Sequence, residues 1–167
     1  MSELYDDPRL TAMGLFAEAH RGLSTRFAVQ LEEHGLSQVE FEVLLRLARS
    51  PGHELRMSDL SAQTSLSTSG VTRVVDRMER DGLLRRRACP SDRRSSYAVV
   101  TQSGLNRLGE TLPGHLELIE KSFTGLLDDN LLETVLYGMR TVRDAVNPCA
   151  TAGTTTDPVG VGRVPAE

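Results

Sequence analysis

The segment RRRACPSDRR, residues 85–94, sets five arginines against a single acid, Asp92. A guanidinium is charged at every pH a protein meets, and its planar fork of N–H donors fits oxyanions and base edges. From Arg73 to Arg94 there are eight arginines and four acids, a net charge of +4 on a chain that totals −4, so the remainder carries −8. A basic stripe on an acidic body points to a polyanion at one face and to like-charge repulsion elsewhere. Just upstream, Ser67, Thr68, Ser69, Thr72, Arg73 and Arg77 add hydroxyls and further guanidiniums.

Other chemistries find little support. His20, His34, His53 and His115 fall in no H-E-x-x-H motif, and neither a G-x-S-x-G elbow nor a Gly-rich phosphate loop occurs, so no catalytic site, cofactor or metal is expected. Cys89 and Cys149 make no disulfide framework and no C-x-x-C pair. No apolar run approaches the ~18 residues of a membrane helix. The start MSELYDDPRL is too acidic and polar for a signal peptide, so a cytoplasmic location is expected.

The elements that must position the arginines follow from periodicity. Residues 8–34 read as one long helix with Met13, Phe16, His20, Leu23, Phe27 and Leu31 on an apolar stripe, stopped by Gly35. Ser37-Gln-Val-Glu40 is a capping box opening a second helix, with Val39, Val43, Leu44 and Leu47 inward and an end near Ser50-Pro51-Gly52. Ser58 is expected to cap a short helix to Thr64, and Ser67 a second from Thr68 to about Asp81. In that second helix Val71, Val74, Val75 and Met78 share a face, while Ser69, Thr72, Arg73, Asp76, Arg77 and Arg80 project elsewhere. Two short helices, a tight break and an Arg-bearing second helix form a helix-turn-helix pattern.

After Gly82 the period shortens. Leu83–Ala88 and Ser95–Val100 read as strands joined by the turn formers of Cys89–Arg94, placing the arginines on a hairpin behind the helix-turn-helix, the arrangement of a winged helix. Arg85, Arg86 and Arg87 alternate sides of a strand, so one of them is expected to serve as a structural ion-pair partner. Thr101 is placed to cap the next helix, interrupted or kinked at Pro113-Gly114. Asp129 or Asn130 is expected to cap the last, with Leu132, Val135, Leu136, Met139, Val142 and Val146 on its apolar side. From Asn147 to Glu167 the composition predicts a disordered tail.

This order of elements, and above all DRMERDGLLRRRACPSDRRSSYAVVTQSG from Asp76 to Gly104, resembles the MarR family of winged helix-turn-helix transcriptional regulators over residues 8–146. The resemblance implies a mainly α fold with a small β-hairpin, about six helices and two to three short strands. It divides the chain into a winged lobe at 37–100 and a helical dimerisation region at 8–34 and 102–146. The implied activity is sequence-specific binding of double-stranded DNA by a homodimer at a pseudo-palindromic operator, usually as a repressor. On that reading Ser67 and Thr68 meet phosphate, Ser69, Thr72 and Arg73 face base edges, and Arg77 reaches the backbone. For Arg80 the expectation is pairing with Asp76 or Glu79 along the helix. Arg94 and Arg93 would enter the flanking minor groove, with Asp92 bracing Arg94. Release by a small aromatic or acidic ligand is also implied, and Phe16, His20, Arg21 and Arg46 are the candidate residues for it. Two alternatives stay open: a regulator without ligand control, including redox control through Cys89 among the arginines, and a winged-helix module that binds another protein.

Overall fold

Local capping chemistry sets the helix boundaries in the computed structural model. It describes residues 5–64, 66–89 and 92–150, with the side chains of Asp92, Arg93 and Arg94 lying outside that description. Helix α1 (Pro8–Glu33) starts with proline at its first position behind Asp7, whose carboxylate accepts from the Arg9 N–H at 2.8 Å. It ends where Gly35 adopts φ +67°, allowing Leu36 N–H to donate back to Leu31 O and Gly35 N–H to Glu32 O. The Ser37–Glu40 capping box is complete and opens α2 (Gln38–Ala48).

A 3₁₀ turn at Pro51–His53 leads into a short strand, β1 (Glu54–Arg56), and then directly into α3 (Met57–Thr64). Ser58 therefore lies within the helix instead of capping it, and its hydroxyl turns to Asp59 at 3.2 Å. The predicted cap fails because pairing of β1 carries the chain straight into the first helical turn. Helix α4 (Thr68–Arg80) is capped by Ser67, which accepts from Gly70 N–H at 3.1 Å.

Strand β2 (Leu84–Cys89) has the predicted length but is shifted by one residue, and β3 (Asp92–Val100) begins three residues earlier than predicted; Pro90 and Ser91 fall outside the described residues. The sheet is antiparallel in the order β1–β3–β2, with Arg56 and Arg87 both opposite Tyr97, Arg86 opposite Ala98, and a register irregularity at Ala88/Cys89. Helix α5 (Gln102–Ser122), capped by Thr101, runs uninterrupted through Pro113, so the predicted break into two segments does not occur. A 3₁₀ turn at Thr124–Leu126 precedes α6 (Asp129–Val146), whose cap is Asp128, ahead of both predicted positions, Asp129 and Asn130. Asn147–Ala150 form a turn closed by the Ala150 N–H on Asn147 O, and the remainder of the expected tail lies outside the described residues.

One core unites the lobe. Val43, Leu44 and Leu47 of α2, Leu60 of α3, Val71, Val75 and Met78 of α4, and Leu84 and Ala98 of the sheet are fully enclosed. Leu31 and Leu108 join it from α1 and α5, whereas Val39 is only half-buried. The terminal helices behave otherwise. The α1 stripe is buried at Leu31 and half-buried at Phe27 and Leu23, but Met13 and Phe16 are exposed. Helix α6 buries Leu132 alone, leaving Tyr137, Met139, Val142 and Val146 in the open. Exposed apolar residues at both ends of one chain mark a surface that a further packing partner would cover.

Candidate nucleic-acid interface

Helix α4 packs by its valines and Met78, and the geometry of a helix then decides what its other faces present. Ser67, Thr68, Ser69 and Arg73 are exposed and Thr72 is half-buried, its hydroxyl donating back to Thr68 O at 2.8 Å. Ser67 and Ser69 hydroxyls stand 3.2 Å apart at the helix start, where uncompensated backbone N–H groups favour an anion. Arg73 is exposed and makes no ion pair with a described residue. Ser69, Arg73 and Arg77 fall four apart and form one ridge.

Arg77 differs from Arg73 in having a fixed partner. Its Nε–H donates to Glu40 Oε1 of α2 at 2.6 Å, while about half of the side chain remains exposed. Glu40 itself is 7% exposed, and its other oxygen accepts the Ser37 N–H at 2.8 Å and the Ser37 hydroxyl at 2.6 Å. Burial by itself would raise this carboxyl, but the Ser37 hydrogen bonds and the Arg77 guanidinium outweigh it and hold Glu40 below the ordinary carboxylate value. Arg80, expected to pair with Asp76 or Glu79, instead directs its Nε–H to the Asp76 backbone oxygen at 3.4 Å. The two carboxylates are taken by Arg86 from the sheet: its guanidinium bonds Asp76, and Glu79 accepts the Arg86 backbone N–H at 2.7 Å.

Strand alternation sends Arg87 to the opposite sheet face. There its guanidinium donates twice to Glu54, at 2.5 and 3.2 Å, and lies 4.6 Å from the Tyr97 ring centre. Arg56 faces the same ring at 5.7 Å, and its Nε–H donates to the Tyr97 hydroxyl at 3.2 Å. Two of the three consecutive arginines are thus structural partners, one more than expected, and Arg85 is left exposed. The predicted roles of Arg93, Arg94 and Asp92 concern side chains outside the described ones, though their backbone forms the start of β3. Cys89 is buried at the end of β2.

Behind α4 the lobe is tied to α5. The Thr101 hydroxyl bridges to Gly82 O at 2.7 Å and caps Gly104 N–H at 3.1 Å. A side chain at Gly104 would bring its Cβ to 2.3 Å from Leu83 O. Arg107 of α5 donates to His34 O at 2.8 Å. His115 of α5 is buried between the Phe27 and Phe41 rings, with Nδ1 3.0 Å from Gln30 Oε1, and burial lowers it from the ordinary 6.5.

The four ligand candidates stand on two helices, and none of them lines the groove between α1 and α5. Phe16 and His20 stack at 6.3 Å on the exposed part of α1, Arg21 is exposed beside them in sequence, and Arg46 is 3.5 Å from Glu42 on α2. An open groove of about 460 Å³ lies instead between α1 and α5, lined by Arg26, Val29, Gln30, Gly114 and Leu118 among others. Sequence reasoning missed that groove, the Glu40–Arg77 bridge and the Tyr97 cluster; the spacing of Glu40 from Val43 and Leu44 placed it on the α2 apolar face but did not name its partner. Among the described residues no group of three or more potential ligands forms a metal site, and no helix is long and apolar enough to cross a membrane.

A helix-turn-helix whose second helix turns an Arg- and Ser-bearing face outward, followed by an antiparallel hairpin, defines a winged helix-turn-helix protein. Residues 34–95 match the family model described as the MarR family. The chain is 34% identical over 116 residues to the HTH-type transcriptional regulator YkoM of Bacillus subtilis, covering 69% of this chain and 73% of that one. AbsC, a MarR family transcriptional regulator from Streptomyces coelicolor, superposes with a TM-score of 0.80 at 30% identity, over 85% of this chain and 96% of AbsC. Sco3205, a MarR family regulator from the same organism solved in complex with DNA, gives 0.80 at 29% identity, over 83% and 88% of the two chains. This protein belongs to the MarR family of transcriptional regulators.

Proposed function

We propose that the protein is a homodimeric, sequence-specific repressor that binds a pseudo-palindromic duplex operator. The observation that carries this reading is the outward face of α4, where Ser67, Thr68, Ser69 and Arg73 are exposed beside a half-buried Thr72. Ser67 and Thr68 contact phosphate at the helix start, while Ser69, Thr72 and Arg73 read base edges, with Arg73 gripping guanine O6 and N7. Arg77 meets the backbone one turn further on. Arg94 and Arg93 occupy the adjacent minor groove, with Asp92 bracing Arg94. Dimerisation is supported by the open apolar faces of α1 and α6, and a two-fold dimer sets half-sites roughly 10 bp apart. Such a regulator acts where the chromosome is, in the cytoplasm.

Release by a small aromatic or acidic ligand goes with this proposal. Support comes from the exposed Phe16–His20 stack on the α1 face assigned to the dimer, beside Arg21; Arg46 stands on the neighbouring α2. A ligand alters DNA affinity only by binding two lobe spacings unequally.

The direct test is an anisotropy titration of the protein with DNA from its own upstream region, repeated with Arg94→Ala and at rising salt. The expected result is salt-steep binding by the wild type and a sharp loss in the variant without loss of fold. Wild-type affinity in Arg94→Ala would remove the wing from the interface, and salt-insensitive capture of a protein in place of DNA would favour an interaction module.

A further inference from the structure

Arg77 carries two kinds of donor, and the structure uses only one of them. Its Nε–H is committed to Glu40, 2.6 Å away, whereas the Nη groups bond no described residue and belong to a side chain that is about half exposed. Glu40 cannot follow Arg77 outward, because it is almost fully enclosed and its second oxygen is held by both the N–H and the hydroxyl of Ser37. Ser37 in turn sits on a junction fixed from below, where Arg107 holds His34 O and Gly35 turns the chain at φ +67°. The outcome is a guanidinium clamped along one edge, with its other edge turned to solvent on the same ridge as Ser69 and Arg73.

From this geometry we propose that Glu40 is a positioning residue for DNA binding: by fixing the Nε edge of Arg77 it aims the Nη donors at a backbone phosphate beside the bases read by Arg73. The inference rests on the DNA-binding reading above and adds a residue from outside the recognition helix to it. A free arginine loses considerable side-chain freedom when it grips a phosphate; one already held by a buried carboxylate loses less. The same bridge makes the angle of α4 depend on the start of α2, so a shift of α2 against α5 would be felt at the phosphate.

The opposite role is also chemically coherent. A carboxylate that competes with phosphate for the guanidinium would hold Arg77 back, and its removal would then strengthen binding. The two roles separate in a double-mutant cycle on operator affinity using Glu40→Gln, Arg77→Ala and the double variant, each measured over a salt series and checked by thermal melting. Glutamine still accepts the Ser37 N–H, so the α2 cap is retained while the charged bridge is lost.

Arg77→Ala is expected to lower affinity and to flatten the dependence of log affinity on log salt by about 0.9 per lost phosphate contact, hence roughly two for a dimer. Glu40→Gln is expected to weaken binding roughly three- to tenfold, as loss of a preorganised charge-assisted contact does, with the salt slope retained. That loss should vanish when Arg77 is already alanine. Arg77→Lys, which keeps the charge but has no second edge, should resemble Glu40→Gln and serves if that variant is poorly folded. Tighter or unchanged binding by Glu40→Gln, a loss that persists in the Arg77→Ala background, or wild-type binding by Arg77→Lys or Arg77→Ala would each overturn the assignment while leaving the DNA-binding reading intact. Absence of salt-sensitive duplex binding by the wild type would instead overturn that reading, and this assignment with it.

Discussion

Arg86 and Arg87 are neighbours in sequence and yet serve different parts of the molecule. The pleat of β2 turns Arg86 toward Asp76 and Glu79 of α4 and Arg87 toward Glu54 and Tyr97. The basic stripe therefore divides into guanidiniums paired within the lobe, Arg86 to α4 and Arg87 to Glu54 of β1, and exposed guanidiniums that bond no described residue. Arg73 and Arg85 belong to the second group. Arg73→Ala should leave the melting temperature unchanged and weaken operator binding with a loss of discrimination of about 1–3 kcal/mol at the base pair it reads. Anisotropy titrations against single-base operator variants would check this, and equal loss at every position would show that Arg73 contacts only backbone. The residue types on the outward face of α4 were legible in the sequence, because hydroxyls and arginines stood off the Val71–Val75–Met78 face. The partners Glu40 and Glu54 were not, since each lies more than thirty residues from its arginine and no local spacing records the contact.

At the scale of elements, the helix starts at Ser37, Ser67 and Thr101 could be read because a cap is local chemistry, complete within four residues. Strand β1 could not: three residues are too few to show alternation, and Glu54–Arg56 become a strand because β3 offers an edge to pair with. Helix α5 persists through Pro113 although its sequence argues for a break, and its neighbouring turns are held by Gln30 donating to Thr111 O at 3.2 Å and by the buried His115. Two predictions belong here. Gly104→Ala would drive a methyl into Leu83 O and should cost about 1–3 kcal/mol in denaturant-midpoint measurements, like other overpacked sites; an unchanged midpoint would show that the α5 start shifts freely. His115 has its folded pKa lowered by burial, so the unfolded chain takes up the proton first as pH drops below 6.5. Stability contributed by the neutral ring should thus be full above that pH and decline below it toward the lower folded value. Unfolding titrations at pH 7.5 and 5.5 should show a slope for the wild type that is reduced in His115→Phe. Glu40 acts in a separate, more acidic window: its carboxylate contributes above the ordinary value of 4.5 and is lost as pH falls through its depressed folded pKa.

For the whole molecule the decisive feature is the contrast between an enclosed lobe and open terminal helices. The apolar period of α1 and α6 was plain in the sequence, but period alone does not say whether a stripe packs within the chain or beyond it. In the structure Leu31 and Leu132 go inward while Met13, Phe16, Met139, Val142 and Val146 do not. Placing charge on that face, as in Met139→Glu with Val142→Glu, should yield a folded monomer by sedimentation and reduce DNA affinity by orders of magnitude, because paired lobes no longer bind as a unit. A variant that stays dimeric would move the interface elsewhere. The central claim, that two copies of α4 are presented together to one duplex, is tested most directly by selecting binding sites from a random double-stranded DNA pool and sequencing the enriched fraction. The account predicts an inverted repeat whose half-sites are centred roughly one helical turn, about 10 bp, apart. Recovery of a single unpaired half-site, or no enrichment at all, would contradict it.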